Sequence, residues 1–289
     1  MASTQQLKRR ITSVSNTKQI TKAMELVAAS KMRKAQDAAA KSRDFRNLAN
    51  EILNRLRQLT DVDKHPLFRI RHVVKTRLHI VITSDRGLAG AYNSNVLRQL
   101  AKELKVDKEQ KVKSEVIVVG KQAARFIARL DDIEVVAVYR DFPESPTAND
   151  IRPILNMITE KFEKKDIDLA DILYTDFKSS IVQEVKYDRL LPVSYTHNPV
   201  GSDMDLAEFE PSPKAVLDNI TVRLVEAQLS QAFLESQASE HSMRMMAMKN
   251  ATDNANDLVD DLTLAFNTAR QAGITQELAE ITGGAEAIK

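Results

Sequence analysis

The residues closest to a nucleotide-binding pattern are Gly120 and Lys121, which follow a predicted strand and begin a predicted helix. A phosphate-binding loop reads GxxxxGK followed by Ser or Thr, because its backbone N–H groups cradle the phosphates and its hydroxyl binds Mg²⁺. Here Glu115 stands where the first glycine belongs, and Gln122 stands where the hydroxyl belongs. No predicted strand is followed by a GxGxxG dinucleotide-binding pattern. The residues therefore argue against a nucleotide site.

Histidines recur every seven residues at His65, His72 and His79, which raises the question of a metal site. The spacing runs across a predicted loop and a strand, so these side chains are not expected to converge on one ion. His241 falls on the packing stripe of a predicted helix, where a packed or hydrogen-bonded histidine is the simpler interpretation. The chain has no cysteine, which excludes disulfides, thiolate ligands and a cysteine nucleophile. We predict no catalytic residue, no metal site and no cofactor.

The segment SDRGLAGAYN at residues 84–93 places two glycines and a charged pair between a predicted strand and a predicted helix. One interpretation is a loop that binds a ligand or a partner at the carboxyl end of the strand. The other is a tight turn in which the glycines allow close approach and Asp85 pairs with Arg86. The residues alone favour the tight turn.

These candidates lie in a central segment, residues 66–211, that holds seven of the eight prolines. Apolar runs predict strands at residues 77–84, 115–119, 133–138, 172–177 and 180–190. Helical patterns lie at residues 93–105, 121–130 and 147–165. Strands that alternate with helices are typical of a mostly parallel sheet covered on its faces. We therefore predict a central Rossmann-like α/β domain, with a hairpin as one arrangement of the last two strands.

Both ends of the chain predict long helices with a narrow packing stripe. Residues 1–65 and 214–272 contain neither glycine nor proline, and stripe positions recur at a mean interval near 3.5 residues in each. That interval is typical of supercoiled helices. The C-terminal stripe consists of Leu217, Ile220, Leu224, Ala227, Gln231, Leu234, Ala238, His241, Met245, Met248, Thr252, Ala255, Val259, Leu262, Phe266 and Ala269. The N-terminal stripe consists of Leu7, Ile11, Val14, Lys18, Thr21, Met24, Ala28, Met32, Ala35, Ala39, Ser42, Phe45, Ala49, Ile52, Leu56 and Leu59.

Local signals mark where these helices begin. Ser3 and Gln6 read as a capping box, while Ser212 and Pro213 read as an N-cap followed by a first-turn proline. We predict three segments: an N-terminal helix at residues 1–65, the central domain at 66–211 and a C-terminal helix at 212–289. The two terminal helices are expected to pair as a long antiparallel coiled coil.

Charge differs between the two helices. Residues 1–60 hold thirteen basic and four acidic residues, whereas residues 214–272 hold five basic and eight acidic residues. The basic excess invites an acidic partner. A basic coiled coil that binds nucleic acid is one alternative, and a nucleotide-binding protein with coiled-coil arms is another. The basic residues alternate with apolar stripe positions and lack aromatic stacking partners, so we expect no nucleic acid.

The helices are also too long for the domain that carries them. A helix of 59 residues measures roughly 90 Å, whereas a compact domain the size of the central segment is about 37 Å across. The far end of the C-terminal helix is rich in apolar residues, which need a covering partner. No apolar run approaches the length of a membrane span, and the N-terminus lacks an apolar signal region, so we expect an intracellular location. The pattern predicts a shaft enclosed by other polypeptides.

At this point four long motifs match a known family. They read ITKAMELVAASKMRKAQ at residues 20–36, ITSDRGLAGAYN at 82–93, ASEH at 238–241 followed by MAMKNATDN at 246–254, and ARQAGITQEL at 269–278. The chain resembles the gamma subunit family of bacterial F-type ATP synthases along essentially its whole length. The resemblance implies a rotor shaft that couples proton or sodium flow to ATP synthesis and hydrolysis elsewhere in the complex.

The resemblance also implies the partners. They are three alpha and three beta subunits, an epsilon subunit and the membrane c-ring, with one copy of this chain in each complex. Catalysis would belong to the beta subunits, so this chain would be a non-catalytic subunit. It would lie at the cytoplasmic face of the bacterial plasma membrane, peripheral to the bilayer.

Individual contact residues carry over by position. Arg270, Gln271 and Thr275 match upper-shaft residues that meet loops of the alpha/beta ring. Lys22 and Met24 match a collar near an acidic lever segment of beta, although plain packing is an equal alternative for Met24.

Other matched positions lie across from the collar and at the opposite end. Arg244 and Lys249 lie on the opposing helix, while Phe209 and Glu210 match the foot near the c-ring. Gly273 replaces the side chain that other members have, which predicts a weaker helix at the tip.

Overall fold

The structure is a computed structural model that describes residues 4–194, 210 and 212–287. The chain divides into two compact units, one made of Met1–Ala28 with Arg244–Lys289 and the other of Ala29–Met243. Helix α1 spans Thr4–Leu59 and helix α5 spans Pro213–Ala287. Ser3, predicted as an N-cap, lies outside the described residues.

The described residues between the terminal helices form five strands and three helices. The strands are β1 (Thr76–Ile82), β2 (Lys113–Val119), β3 (Glu134–Tyr139), β4 (Leu169–Phe177) and β5 (Gln183–Leu191). The helices are α2 (Tyr92–Glu109), α3 (Lys121–Ile127) and α4 (Ala148–Glu163). Two short 3-10 turns, Val62–Lys64 and Pro66–Phe68, connect α1 to this region. Each predicted strand and helix of the central segment is present, with bounds shifted by up to four residues.

The sheet has the order β3-β2-β1-β4-β5. Strand β1 pairs in parallel with β2 and with β4, and β2 pairs in parallel with β3. Strand β5 returns antiparallel to β4, which confirms the predicted hairpin. The sequence-predicted fold class, a mostly parallel α/β sheet with long terminal helices, is therefore confirmed.

The central strands are buried on both faces because each face is covered by helices. On one face Val81, Val116 and Val118 pack in a cluster that includes Val96 of α2 and Ala123 of α3. The opposite face contributes to a larger cluster with residues of α4, α1 and α5. Strand β3 lies at an edge and is mostly half-exposed or exposed, in keeping with its place in the order. Strands covered on two faces read as continuous apolar runs, which is the pattern that predicted them.

Within residues 29–243, the terminal helices run antiparallel. Arg43 of α1 pairs with Glu235 of α5 at 3.2 Å, and His65, just after α1, lies 3.4 Å from Asp218 near the start of α5. Ser212 Oγ accepts a hydrogen bond from Ala215 N at 3.2 Å, so the predicted N-cap of α5 is confirmed.

The predicted packing stripes are largely correct. Every C-terminal stripe position is buried or half-buried, from Leu217 to Ala269. Among the α1 stripe positions whose burial is described, which leaves out Leu59, the exception is Phe45, which is 49% exposed. Leu53, which the stripe omits, is instead 1% exposed. The departure is local, because Ala49 and Leu56, which follow Phe45 in the stripe, are 2% and 0% exposed.

Residues 4–28 and 244–287 form the described part of the other unit. Thr252 Oγ1 of α5 lies 2.8 Å from Thr21 Oγ1 of α1, and both are stripe positions. Ala28, Met248 and Leu262 are buried in the same unit. Among the described residues, no helix combines the length and the apolar character that crossing a bilayer requires.

Candidate helix clamp and partner-contact residues

The start of α3, which resembles a phosphate-binding loop in sequence, is already bonded to protein oxygens. Asp85 Oδ1 accepts from Lys121 N at 2.9 Å, and Thr83 Oγ1 accepts from Ala123 N at 3.0 Å. The Lys121 ammonium pairs with Asp141 at 2.5 Å. The donors that would cradle a phosphate are therefore occupied by the chain's own side chains.

Gly120 has a packing role at this turn. Its φ is +98°, and a Cβ at this position would lie 2.1 Å from the carbonyl oxygen of Thr83. A glycine after a strand can therefore mark close backbone approach as well as a ligand loop.

The loop at residues 84–93 is held by its own polar groups. Asn93 Oδ1 accepts from Ser84 N at 3.0 Å, and Ser84 Oγ donates to Arg86 O at 2.6 Å. Leu88 and Gly90 adopt the left-handed conformation with φ of 62° and 54°. Asp85 bonds the start of α3, as described above, so the predicted Asp85–Arg86 pair is replaced by a longer-range contact. The loop is therefore a tight turn held by its own hydrogen bonds. It lies against α5 at Gly90, where an added Cβ would be 3.8 Å from Met243 O.

Three buried serines of α5 bond three different parts of the sheet's carboxyl edge. Tyr92 OH, at the start of α2, lies 2.6 Å from Ser236 Oγ. Ser239 Oγ donates to Thr175 O of β4 at 3.1 Å. Each of the three serines, at positions 236, 239 and 242, is 0% exposed.

The third serine fastens the β4–β5 hairpin. Ser242 Oγ donates to Ser180 O at 2.9 Å and accepts from Gln183 Nε2 at 3.1 Å. We call Ser236, Ser239 and Ser242, with the groups they bond, the helix clamp.

The segment after β3 contacts the same stretch of α5. Phe142 stacks on Phe233 with ring centroids 4.6 Å apart, and Gln237 Nε2 donates to Pro143 O at 2.7 Å. Phe233 is 1% exposed. This stretch of α5 therefore meets the sheet through segments that follow β1, β3 and β4.

A pair of buried carboxyl groups lies beside the clamp. Glu235 of α5 and Asp176 of β4 are 5% and 3% exposed. Burial, followed by a hydrogen bond with Asp176, raises the pKa of Glu235. Burial opposes ionisation of Asp176, but hydrogen bonds from Lys178 and Lys186 prevail and lower its pKa to about 2. Asp176 is thus the ionised member of the pair, and Glu235 is the member that favours the proton.

A second buried polar cluster lies on the α2 face of the sheet. His79 Nε2 lies 2.8 Å from Asp107 Oδ2, and His79 Nδ1 lies 2.9 Å from Tyr187 OH. Arg77 pairs with Asp107 at 2.7 Å. His79 is thus satisfied on both ring nitrogens by a carboxylate and a phenol, with no free nitrogen for a ligand. Among the residues that the structure describes, no three His, Asp or Glu side chains gather as metal ligands do.

The sequence-predicted contact residues at the upper shaft lie on α5. Arg270, Gln271 and Thr275 are exposed, and Thr275 Oγ1 donates to Gln271 O at 2.9 Å. Gly273 is part of the continuous helix, with open space where its side chain would be.

The predicted collar residues, Lys22 and Met24, lie on α1. The matched positions on the opposing helix, Arg244 and Lys249, lie on α5. Lys22 pairs with Glu25 at 3.0 Å with its side chain 55% exposed, and Met24 is half-buried on the packing stripe. Arg244 is half-buried and Lys249 is exposed.

The predicted foot residues precede α5 in the sequence. Glu210 is exposed, and Phe209 lies outside the described residues.

The helix clamp was not predicted from the sequence. Residues 224–238 carry only Glu226 and Glu235 as charged residues, and a helix with so few charges is typically enclosed on several sides. That signal could have indicated a second packing face. It could not have identified which backbone groups the serines bond.

Comparisons with known proteins agree with the fold. A family model described as ATP synthase matches residues 3–288. The ATP synthase gamma chain of Stenotrophomonas maltophilia strain R551-3 is 37% identical over 289 residues, which cover 100% of both chains. The ATP synthase gamma chain of Herpetosiphon aurantiacus is 41% identical over 298 aligned residues, covering 100% of this chain and 99% of that one.

Solved structures show the same fold at lower identity. A chain of the Euglena gracilis mitochondrial ATP synthase, OSCP/F1/c-ring, in rotational state 3, superposes with a TM-score of 0.67 at 19% identity, covering 99% of this chain and 94% of that one. A chain of the Tetrahymena thermophila mitochondrial ATP synthase central stalk/c-ring superposes with a TM-score of 0.61 at 24% identity, covering 80% and 99%. Taken with the full-length sequence matches, these findings show that the chain belongs to the ATP synthase gamma chain family.

Proposed function

We infer that this chain is the rotor shaft of an ATP synthase, a non-catalytic subunit that couples ion flow to ATP synthesis and hydrolysis by turning. The observation that carries this conclusion is the full-length match to gamma chains at 37% and 41% identity. Function by rotation needs a long stiff element joined to a body that other subunits can grip. The terminal helices and the sheet domain supply those two parts.

The partners follow from the same role. The terminal helices would lie inside a ring of three alpha and three beta subunits, and the sheet domain would meet an epsilon subunit and the membrane c-ring. One chain would serve each complex, since a single axis can hold one shaft. The complex is membrane-associated, and we propose that this chain lies at the cytoplasmic face of the bacterial plasma membrane, held there by its partners. The coupling ion would be a proton or sodium.

Exposed polar residues support the proposed contacts with the ring. Arg270, Gln271 and Thr275 expose their side chains on α5, so they are available to backbone and side-chain groups of a surrounding subunit. Lys22 and Lys249 are exposed cations, which suits the acidic lever segment that the resemblance implies.

The other proposed contacts are Arg244, Met24, Phe209 and Glu210. Arg244 is half-buried, and Met24 is half-buried on the packing stripe. Phe209 and Glu210 would meet the c-ring, and their assignment rests on position in the sequence alone.

Purification of the tagged full chain from its host tests the function. The expected result is recovery of alpha, beta, epsilon and c subunits with ATP-driven ion pumping after reconstitution. Micromolar ATP binding by the chain alone, without those subunits, would contradict the shaft role.

Two variants test the contacts. A chain that ends at Ala272 is expected to pump less than the full chain but still to pump, because the whole packing stripe, which ends at Ala269, remains. Arg270→Ala is expected to lower pumping relative to Lys102→Ala, which removes one exposed cation of α2. Equal pumping by both substitutions would show that Arg270 makes no contact that matters.

A further inference from the structure

We propose that the helix clamp is the joint through which torque passes between the sheet domain and α5. The proposal rests on the proposed function, because only a turning shaft needs such a joint. It assigns a positioning role to Ser236, Ser239 and Ser242, none of which is a predicted contact with a partner subunit.

The contacts of the clamp are spread around the axis of α5. At about 100° per residue, the three serines cover an arc of roughly 120°. Phe233 and Gln237, which contact the segment after β3, extend the arc on the other side to about 220°. Contacts over more than half of the circumference oppose rotation of the helix about its own axis in either direction.

The clamp serines make hydrogen bonds, which are directional, whereas the packing stripes make apolar contacts. Apolar stripes tolerate sliding because the contact is non-directional, whereas a hydrogen bond weakens steeply when its angle departs from linearity. A turn of one residue position moves each serine hydroxyl by about 100° and separates it from its acceptor. Because all three serines are 0% exposed, water does not replace the lost partner. The clamp is therefore stiff in the one direction that torque loads.

The clamp lies at the carboxyl edge of the sheet, beside the ends of β1 and β4. Doubly wound sheets hold ligands in the crevice at the carboxyl ends of their strands, where the strand order changes direction. In this sheet that point lies between β1 and β4. Ser236 bonds Tyr92, which follows β1, and Ser239 bonds Thr175 of β4. The helix thus occupies the crevice that a cofactor occupies in related architectures, and the domain grips its own shaft there.

The test uses the full chain in its purified ATP synthase. The triple variant Ser236→Ala, Ser239→Ala, Ser242→Ala is compared with Ser230→Ala, a half-exposed serine of the same helix. Hydrogen exchange at residues 236–242 and 175–183 reports opening of the joint, and the ratio of ions pumped to ATP hydrolysed reports coupling. Each lost bond is expected to raise the local opening roughly fivefold. We expect the pumping ratio to fall by at least half while ATP hydrolysis persists, and the control to match wild type.

Each outcome decides between the alternatives. Faster exchange with an unchanged pumping ratio would overturn the proposal, because an open joint would then transmit torque. Equal loss of pumping and hydrolysis would also overturn it, since that pattern indicates a general structural defect. A wild-type chain that neither assembles nor couples would instead refute the proposed function.

A double-mutant cycle gives an independent measurement. Tyr92→Phe removes only the hydroxyl that meets Ser236 Oγ at 2.6 Å. Either single variant removes one member of this buried hydrogen bond and leaves the other in place, whereas the double variant removes both hydroxyls and should be less disruptive than the sum of the single changes. We expect Tyr92→Phe with Ser236→Ala to recover part of the pumping ratio that each single variant loses. Additive losses would contradict a functional bond between these residues.

Discussion

Gly120→Ala is predicted to destabilise the sheet domain severely. The added Cβ would lie 2.1 Å from the carbonyl oxygen of Thr83 and 2.7 Å from its carbonyl carbon, whereas ordinary contacts begin at 3.4 Å. The obstacle is backbone of the neighbouring segment, so no side-chain rotation relieves it. The positive φ of Gly120 adds a conformational cost for any residue with a Cβ.

The size of the stability loss follows from the displacement of Thr83 that the added Cβ requires. Thr83 would have to retreat by roughly 1 Å from a close-packed neighbour. That shift disturbs the bonds of Thr83 N to Val119 O at 2.9 Å and of Ala123 N to Thr83 Oγ1 at 3.0 Å. Two buried hydrogen bonds at about 1 kcal/mol each, with about 2 kcal/mol for holding an alanine at the φ of +98° and ψ of 147° of Gly120, give a loss of about 4 kcal/mol.

Urea unfolding followed by circular dichroism measures this loss, and Gly87→Ala is the matched control. A Cβ at Gly87 would meet nothing within 4 Å, so we expect a change within about 0.5 kcal/mol. The chain has no tryptophan, which leaves tyrosine fluorescence as the second probe. If the two alanine variants unfold within about 1 kcal/mol of each other, the reasoning from close approach is refuted.

Three further predictions concern charge and the helix tip. Asp107→Ala should destabilise the domain by roughly 3 kcal/mol or more, because Arg77 and His79 lose their buried carboxylate; calorimetry that finds a smaller loss than an exposed aspartate variant would contradict this. Asp176 has a folded pKa of about 2 against 3.8 for the ordinary group, so its contribution is present above pH 4 and lost as the pH falls towards 2; stability measured across that range should fall less in Asp176→Asn. Gly273→Ala should stabilise α5 by about 1 kcal/mol, since a helix-interior glycine is unfavourable and open space surrounds it; unchanged helix protection in hydrogen exchange would argue against that.

The elements of the fold could be predicted from the sequence because their signals are local. Continuous apolar runs identified strands such as β2, and Ser212 with Pro213 marked the start of α5 within one residue. The stripe of 3.5 residues located the buried side of both terminal helices. It failed at Phe45, which is exposed, and it omitted Leu53, which is buried.

The candidate site was less predictable because its contacts join distant segments. The bond between Tyr92 and Ser236 spans 144 residues, and no pattern near either residue indicates the other. The same holds for His79, whose carboxylate partner comes from α2 and whose phenol partner comes from β5. Buried polar pairs depend on tertiary placement, and one sequence contains no measure of that placement.

The filling of the sheet's crevice by α5 has a consequence for how the chain folds. Strand β5 ends at Leu191, whereas the clamp serines lie some forty-five residues nearer the C-terminus. During synthesis the carboxyl edge of the sheet therefore emerges from the ribosome before the segment that seals it. Joining Thr175 to Ser239 closes a separation of 64 residues, and joining Tyr92 to Ser236 closes one of 144. Contacts of such long range slow folding, so the carboxyl edge of the sheet is completed only by a segment that is made after all five strands.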